Sequence, residues 1–233
     1  GAVDPGVVKR LAVKYYGAIP AKDLNLPNRV EEPPQLAARR LTMESKQVGQ
    51  ASWSRRYRAP SYRYGETKHA FALQVLNEII GGGTTSRLYQ SLVVDQSLAV
   101  AAGSWYRAES IGPSVFGFYA SPQEGVSMER LEKGIDREIR LVLRDGVTKD
   151  EVRAAIIRLQ RTAIFAKDSV TAPARIIGSA LASGRSVHDI ENWPDKISKV
   201  SKDDVVVAAE WVFRITRSLT ATLLPTNVAQ RKP

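Results

Sequence analysis

The chain has 233 residues, of which 43% are hydrophobic and 25% charged, a composition typical of a soluble globular protein with room for one large domain. No apolar run approaches the ~20 residues of a transmembrane helix, and the absence of cysteine excludes disulfides, cysteine-ligated zinc and a thiol nucleophile. A formal net charge of +10 is compatible with nucleic acid, an anionic membrane surface or an acidic partner, but scattered arginines favour a solvated basic surface.

The N-terminal stretch predicts one helix followed by a linker. Asp4 provides an N-cap, Pro5 suits the first helical position, and Gly17 ends the helix. The next stretch is too rich in proline for a helix or a central strand. We therefore expect four parts. They are the end of a preceding domain at 1–20, a linker at 21–37, the main domain at 38–225 and a tail at 226–233.

Two runs of alternating apolar and polar residues follow the linker. Residues 39–44 and 50–59 predict two antiparallel strands joined near Gly49. Trp53, Arg55 and Tyr57 share one face of the second strand, because side chains two residues apart lie on the same side.

The segment 66–103 organises the rest of the chain. Apolar residues at helical spacing predict a helix that ends at Ile80, because three glycines follow. Ser86 is the expected N-cap of a second helix. The glycine stretch could bind phosphate at a helix start, but both the lysine of a P-loop and the strand that precedes a dinucleotide fingerprint are missing. A helix-to-helix turn with positive φ is the simpler interpretation.

A second strand pair at 98–107 and 115–120 precedes a run of helices. Ser127, the capping box from Thr148 to Glu151, and Ser201 mark helix starts, and a further helix is predicted at 169–183. Trp193 and the proline after it are expected in a connecting segment, and 218–224 in a final strand. Paired strands and runs of helices predict an α+β fold, with an antiparallel sheet and helices packed on one face.

The sequence gives little support for a catalytic centre within this chain. Its two histidines, His69 and His188, are far apart, and neither stands in a His-x-x-Glu-His motif. Glu66 and His69 predict a surface hydrogen bond, and His188 is expected in an exposed turn. A G-x-S-x-G nucleophile elbow is also missing.

Several short motifs, in their order and spacing along the chain, resemble those of a known protein family. A helix, a glycine turn, Ser-Arg-Leu-Tyr, a short helix and a small-residue strand resemble the C-terminal half of zinc peptidases related to pitrilysin, insulin-degrading enzyme and mitochondrial processing peptidase. The bacterial two-subunit members are the most similar. The resemblance implies the same α+β fold and a parent protein that hydrolyses peptide bonds with zinc. It also implies no cofactor within this part, since the family's zinc motif lies in the first domain.

The resemblance also implies candidate site residues. Family members can supply an arginine and a tyrosine seven residues apart, which hold the substrate, and those positions fall at Val93 and Val100 here. Neither valine can do that work, which resembles the zinc-carrying subunit of the two-subunit enzymes. Candidate substrate-binding residues are Gly81, Gly82, Gly83 and Arg87. For Arg87, a tether to a carboxylate is the structural alternative.

These observations predict the non-metal C-terminal domain of a zinc metallopeptidase, inactive alone. The expected partners are the first domain of the same parent chain, a homologous subunit in a heterodimer, and a peptide or unfolded polypeptide substrate. Two alternatives stay open: a non-catalytic scaffold of the same fold, and a basic nucleic-acid-binding module, which the scattered charge disfavours. The sequence does not distinguish the bacterial periplasm from the cytoplasm.

Overall fold

The computed structural model describes residues 2–20 and 33–226, and the predicted linker and tail lie largely outside the described residues. Contacts divide the chain into two units, Gly1–Pro34 and Gln35–Pro233. The first unit contains α1 (Pro5–Tyr16), and Asp4 accepts a hydrogen bond from the Val7 backbone at 2.8 Å, as its N-cap position predicts. The described side chains of α1 are exposed.

A five-stranded sheet forms the centre of the second unit, in the order β1-β5-β2-β4-β3. The strands are β1 (Arg39–Ser45), β2 (Ser52–Ala59), β3 (Ala99–Tyr106), β4 (Ser114–Pro122) and β5 (Ser218–Pro225). All five predicted strands are present, and β3 and β4 pair antiparallel as expected. This confirms the α+β class.

The predicted pairing of the first two strands is wrong. The C-terminal strand β5 lies between them, parallel to β1 and antiparallel to β2. The sheet is therefore mixed at this end rather than wholly antiparallel. The described residues of β1 are nearly all exposed, as expected for an edge strand whose single neighbour is β5.

The described residues of the second unit form eight helices in addition to the sheet. They are α2 (Ala70–Gly81), α3 (Arg87–Tyr89, continued as a π-helical stretch to Asp95), α4 (Met128–Asp145), α5 (Lys149–Lys167), α6 (Ala172–Ala182), α7 (Val187–Glu191), α8 (Trp193–Ser198) and α9 (Lys202–Val212). Side-chain caps at Ser127, Thr148 and Ser201 are confirmed, the last two as capping boxes.

Three local predictions differ from the structure. Ser86 stands at the N-cap position of α3, but its hydroxyl donates to the Gly83 carbonyl at 2.6 Å instead of accepting from the helix. The helix predicted from residue 169 begins at Ala172. The segment around Trp193 is helical, because Asn192 and the proline at the first turn of α8 start a short helix that packs near α2.

One face of the sheet and the helix α2 enclose the core. Trp53, Tyr57, Phe116 and Phe118 point to this side and are at most 2% exposed. Phe213, which follows α9, contacts Tyr57, Phe116 and Phe118 with ring centroids 5.1 to 5.4 Å apart. No helix in the described ranges is long and apolar enough to cross a membrane.

Candidate functional site

The glycine turn begins with a close approach between α2 and the sheet. Gly81 is buried at the end of α2, and a Cβ there would lie 2.7 Å from the Gly103 carbonyl carbon and closer still to Ser104. Gly82 caps the helix. Gly83 has a φ of +145°, which only glycine adopts without strain, and a Cβ on it would meet open space. The turn therefore combines tight packing at Gly81 with an exposed bend at Gly83.

Arg87 lies at the start of α3 and holds a carboxylate. Its guanidinium donates two hydrogen bonds to Glu151, at 2.7 and 2.8 Å, and one to the Gly146 carbonyl at 3.2 Å. Burial of Glu151 would raise its pKa, but hydrogen bonds from Arg87 and Thr148 outweigh that effect and lower the pKa. This geometry is the carboxylate tether that the sequence offered as the alternative to substrate contact. A role of Arg87 and the three glycines in substrate binding remains a prediction.

The two positions where the family can carry an arginine and a tyrosine hold valines in different surroundings. Val93 packs partly buried against the core, in the π-helical stretch after α3. Val100 is 46% exposed at an irregularity in β3, where the pairing with β4 shifts between Ala99 and Ala101. Neither side chain can donate a hydrogen bond to a substrate.

The two histidines occupy unrelated environments. His69 is 6% exposed and lies against the Trp211 ring, with centroids 5.8 Å apart, so the predicted surface hydrogen bond with Glu66 is wrong. Burial, with a smaller effect of Lys68, lowers the pKa of His69. His188 is exposed on α7, as expected. Within the described residues no group of three or more His, Asp or Glu side chains could hold a metal ion, so this part of the chain does not fit zinc.

A buried charge cluster lies between the sheet and α4. Arg55, 2% exposed on the core face of β2, contacts Asp136 and Glu132 and donates to the Thr220 hydroxyl at 2.9 Å. The cluster joins β2, β5 and α4, and its charges are already satisfied by one another. We assign it to the stability of the domain.

The opposite face of the sheet, which we call the open face, carries exposed apolar and aromatic side chains that the sequence did not predict to lie on one surface. Leu41 is 57% exposed, Met43 59%, Val115 37% and Tyr119 46%. The signal that could have identified this face is the alternation within β2, where serines and arginines occupy every second position between buried residues.

Comparison with known proteins identifies this fold. Residues 1–159 match the family model described as the peptidase M16 inactive domain. The chain belongs to this family. The resemblance to the C-terminal half of zinc peptidases is thereby confirmed.

The relatives of this M16 inactive domain are longer proteins. An uncharacterized zinc protease of Rickettsia felis is 28% identical over 150 residues, which cover 64% of this chain and 36% of the relative. One of Streptomyces coelicolor is 28% identical over 143 residues, which cover 61% of this chain and 31% of the relative. The chain thus spans about a third of the length of the curated relatives it matches.

Solved structures show the same fold. A protease from Helicobacter pylori superposes with a TM-score of 0.84 at 23% identity, over 96% of this chain and 53% of that one. The peptidase M16 inactive domain from Pseudomonas fluorescens gives a TM-score of 0.76 at 18% identity, over 98% of this chain and 52% of that one.

Proposed function

We propose that this M16 inactive domain is the non-catalytic part of a zinc metallopeptidase, where it forms one wall of the substrate chamber and an association surface for other parts of the enzyme. The observation that carries the proposal is the two-sidedness of the sheet. Its core face is covered by helices, whereas its open face presents exposed apolar, aromatic and arginine side chains. An ordinary antiparallel sheet with one solvated face would carry mainly polar residues there.

A second surface supports association. Side chains of α5 and α6 present a run of exposed apolar residues beside an apolar groove of about 840 Å³. The exposed members are Ile164, Phe165, Ile176 and Leu181. Phe165 is 70% exposed, and large apolar side chains exposed on helices beside an apolar groove are typical of a surface that another protein or domain covers. The first domain of the parent protein or a homologous subunit is the proposed occupant.

The valines at 93 and 100 support a finer proposal. In the two-subunit enzymes of this type, one subunit carries zinc and its partner supplies the arginine and tyrosine. A chain with valine at both positions suits the zinc-carrying subunit, so a homologous partner would complete the site. Zinc would then be a cofactor of the parent protein and lie outside this domain.

Reconstitution tests the proposed function. The purified chain, the same chain mixed with a homologous domain that carries His-x-x-Glu-His, and that domain alone would each be given zinc and a quenched fluorescent peptide. We expect this chain alone to be inactive and the mixture to cleave the peptide at least tenfold faster than the zinc domain alone. One bound zinc per chain together with cleavage by this chain alone would overturn the proposal. An inactive mixture of folded components would favour the scaffold.

The association surface has a matched test in the same mixture. Phe165→Ser should weaken binding between the two domains, measured by isothermal titration calorimetry, because it removes an exposed apolar anchor without opening the core. Val207→Ser is the control, since Val207 is similarly exposed, at 51%, on α9. Equal binding by both variants would remove α5 and α6 from the interface.

A further inference from the structure

One row of residues runs across the open face through all five strands. The pairing registers place Arg39, Leu219, Arg56, Gly117 and Trp105 side by side, from β1 at one edge to β3 at the other. Successive residues in a row belong to neighbouring strands and project to the same side of the sheet. The row therefore places two arginines and an indole ring on one surface.

Two glycines let aromatic rings lie flat on this face. The Trp105 ring covers Gly117, where a Cβ would collide with the indole carbons. In the next row the Tyr119 ring covers Gly103, where a Cβ would lie 2.6 Å from the Tyr119 hydroxyl. The two rings are 6.1 Å apart between centroids. Each strand thus supplies the ring that covers the other strand's glycine, and the pair forms an aromatic platform.

Arginine side chains border the platform. The Arg56 guanidinium lies 5.9 Å from the Trp105 ring centroid. A cavity of about 340 Å³ extends from there, lined by Arg56, Trp105 and Arg107, with Ser110 and Val115 among its other walls. Its volume lies within the range of small-ligand pockets. Within the described residues, neither Arg56 nor Arg107 has a carboxylate partner.

The described strand residues of the open face include basic side chains but no acidic ones. At the strand positions that face this side, in the registers given above, no Asp or Glu occurs among the described residues. Glu44 of β1 alternates to the core side with Arg40, which contacts Glu132 of α4. Glu109, in the connection between β3 and β4, is directed to Arg185 at 3.9 Å. Within the described part of the sheet the arginines therefore make the open face positively charged, and its strand residues would attract an anionic ligand.

We infer that the open face binds an acidic, extended segment of polypeptide, with carboxylates against Arg56 and Arg107 and a neighbouring side chain stacked on the Trp105–Tyr119 platform. Guanidinium groups bind carboxylates through two parallel hydrogen bonds, which makes them suited to Asp and Glu side chains. Five strands spaced about 4.8 Å apart give a face about 19 Å wide, which about six extended residues would cross. This assignment of the substrate class rests on the proposed chamber wall.

Peptide binding to the chain itself tests the inference without any catalytic step. The probes are three fluorescein-labelled octapeptides: one with four glutamates, one with glutamine at those positions and one with lysine. Fluorescence anisotropy at about 50 mM and 200 mM salt measures each affinity. We expect the glutamate peptide to bind at least tenfold more tightly than the glutamine peptide at the lower salt concentration, and the preference to shrink at the higher one.

Two double variants distinguish binding at a specific site from nonspecific electrostatic attraction to a basic protein. R56Q/R107Q should reduce the affinity for the glutamate peptide about tenfold, since two charge-assisted contacts are lost. R137Q/R140Q removes the same charge from the exposed side of α4 and should leave the affinity within twofold. Equal losses in the two variants, or equal affinities for the glutamate and glutamine peptides, would overturn the inference. So would tighter binding of a single-stranded oligothymidine that R56Q/R107Q abolishes, because the face would then belong to a nucleic-acid-binding module.

The outcomes also distinguish this inference from the proposed function. Reconstituted cleavage of a neutral peptide without any preference for acidic ones would refute the acidic-substrate inference and retain the chamber wall. Preferential binding of the glutamate peptide that R56Q/R107Q abolishes would support the acidic site, even if every reconstituted mixture were inactive and the peptidase proposal failed.

Discussion

Replacing Gly81 by alanine tests whether the glycine turn is first of all a packing device. Alanine is favoured over glycine in a helix by about 1 kcal/mol. At Gly81, however, the new methyl group would meet the backbone of Gly103 and Ser104, which cannot rotate away. Separation of α2 from β3 would disturb a helix that has eight buried residues. Overpacking costs about 1–3 kcal/mol, and contact with backbone places this substitution in the upper half of that range. After subtraction of the helix gain of about 1 kcal/mol, we expect a net destabilisation of about 1–2 kcal/mol.

The chain contains a matched control for this substitution. Gly178 lies within α6, and a Cβ on it would meet nothing within 4 Å. Gly178→Ala should therefore stabilise the protein by about 0.5–1 kcal/mol. Gly134→Ala should fall between the two, because its methyl group would approach only the side-chain ends of Leu92 and Leu98, at 2.8 and 3.0 Å.

Urea unfolding followed by circular dichroism measures the series. At a size of 150–250 residues, 1 kcal/mol corresponds to about 2–4 °C in Tm, so thermal scans give a second measurement. The expected order of stability is Gly178→Ala, wild type, Gly134→Ala, Gly81→Ala. A Gly81→Ala protein as stable as wild type would refute the packing argument. The presence of glycine at position 81 would then need another explanation, such as contact with substrate.

Three other substitutions test the charge and burial of single residues. Glu151→Gln should cost about 1 kcal/mol at pH 7, because the Arg87 contact is weakened, and the cost should disappear as the pH falls below about 4.5, where the wild-type carboxylate loses the stability that its lowered pKa provides. His69→Phe should flatten the pH dependence of stability below about 6.5, because the buried wild-type imidazole has a lowered pKa and its unfolded state takes up the proton first. Arg55→Leu should cost about 3 kcal/mol in urea unfolding, since Glu132 and Asp136 lose a buried partner.

Each of these three has a control at an exposed site. Glu129→Gln interrupts only an exposed pair with Lys133 and should leave the unfolding curve unchanged. His188→Phe, on exposed α7, is the control for loss of a histidine that does not lie against Trp211. Arg137→Leu should not alter stability by more than about 0.5 kcal/mol. If a control matches its test variant in any of these measurements, the effect comes from charge or composition rather than from the contact named.

Local sequence signals predicted most of the elements but not the order of the strands. Caps such as Ser127 and Thr148 act within one helical turn, so the residues that decide them are neighbours in sequence. The insertion of β5 between β1 and β2 pairs β2 (Ser52–Ala59) with β5 (Ser218–Pro225), which lies more than 150 residues later in the sequence. The alternation of side chains between the two faces of β5 predicts a strand but does not identify the strands that pair with it.

The candidate site shows the same division between local and tertiary information. Arginines and aromatics near the second strand were visible in the sequence, but their scatter along the chain concealed that Arg39 and Arg56 share a row. Similarly, the burial of His69 depends on Trp211, which lies more than 140 residues away. The sequence predicted that His69 lies at a helix start and Arg56 in a strand. Their neighbours in space could be identified only from the structure.

The two faces of the sheet owe their different characters to different residues of the same strands. In β4, Phe116 and Phe118 point inward and contact Phe213, whereas Gly117 and Tyr119 point outward. A side chain at position 117 would raise the Trp105 ring from the sheet and remove the flat platform, without touching the core. Gly117→Ala should therefore spare much of the core packing but weaken peptide binding, whereas Phe118→Ala should do the reverse. A chamber wall needs this separation, because the ligand-facing side can then change while the fold is kept.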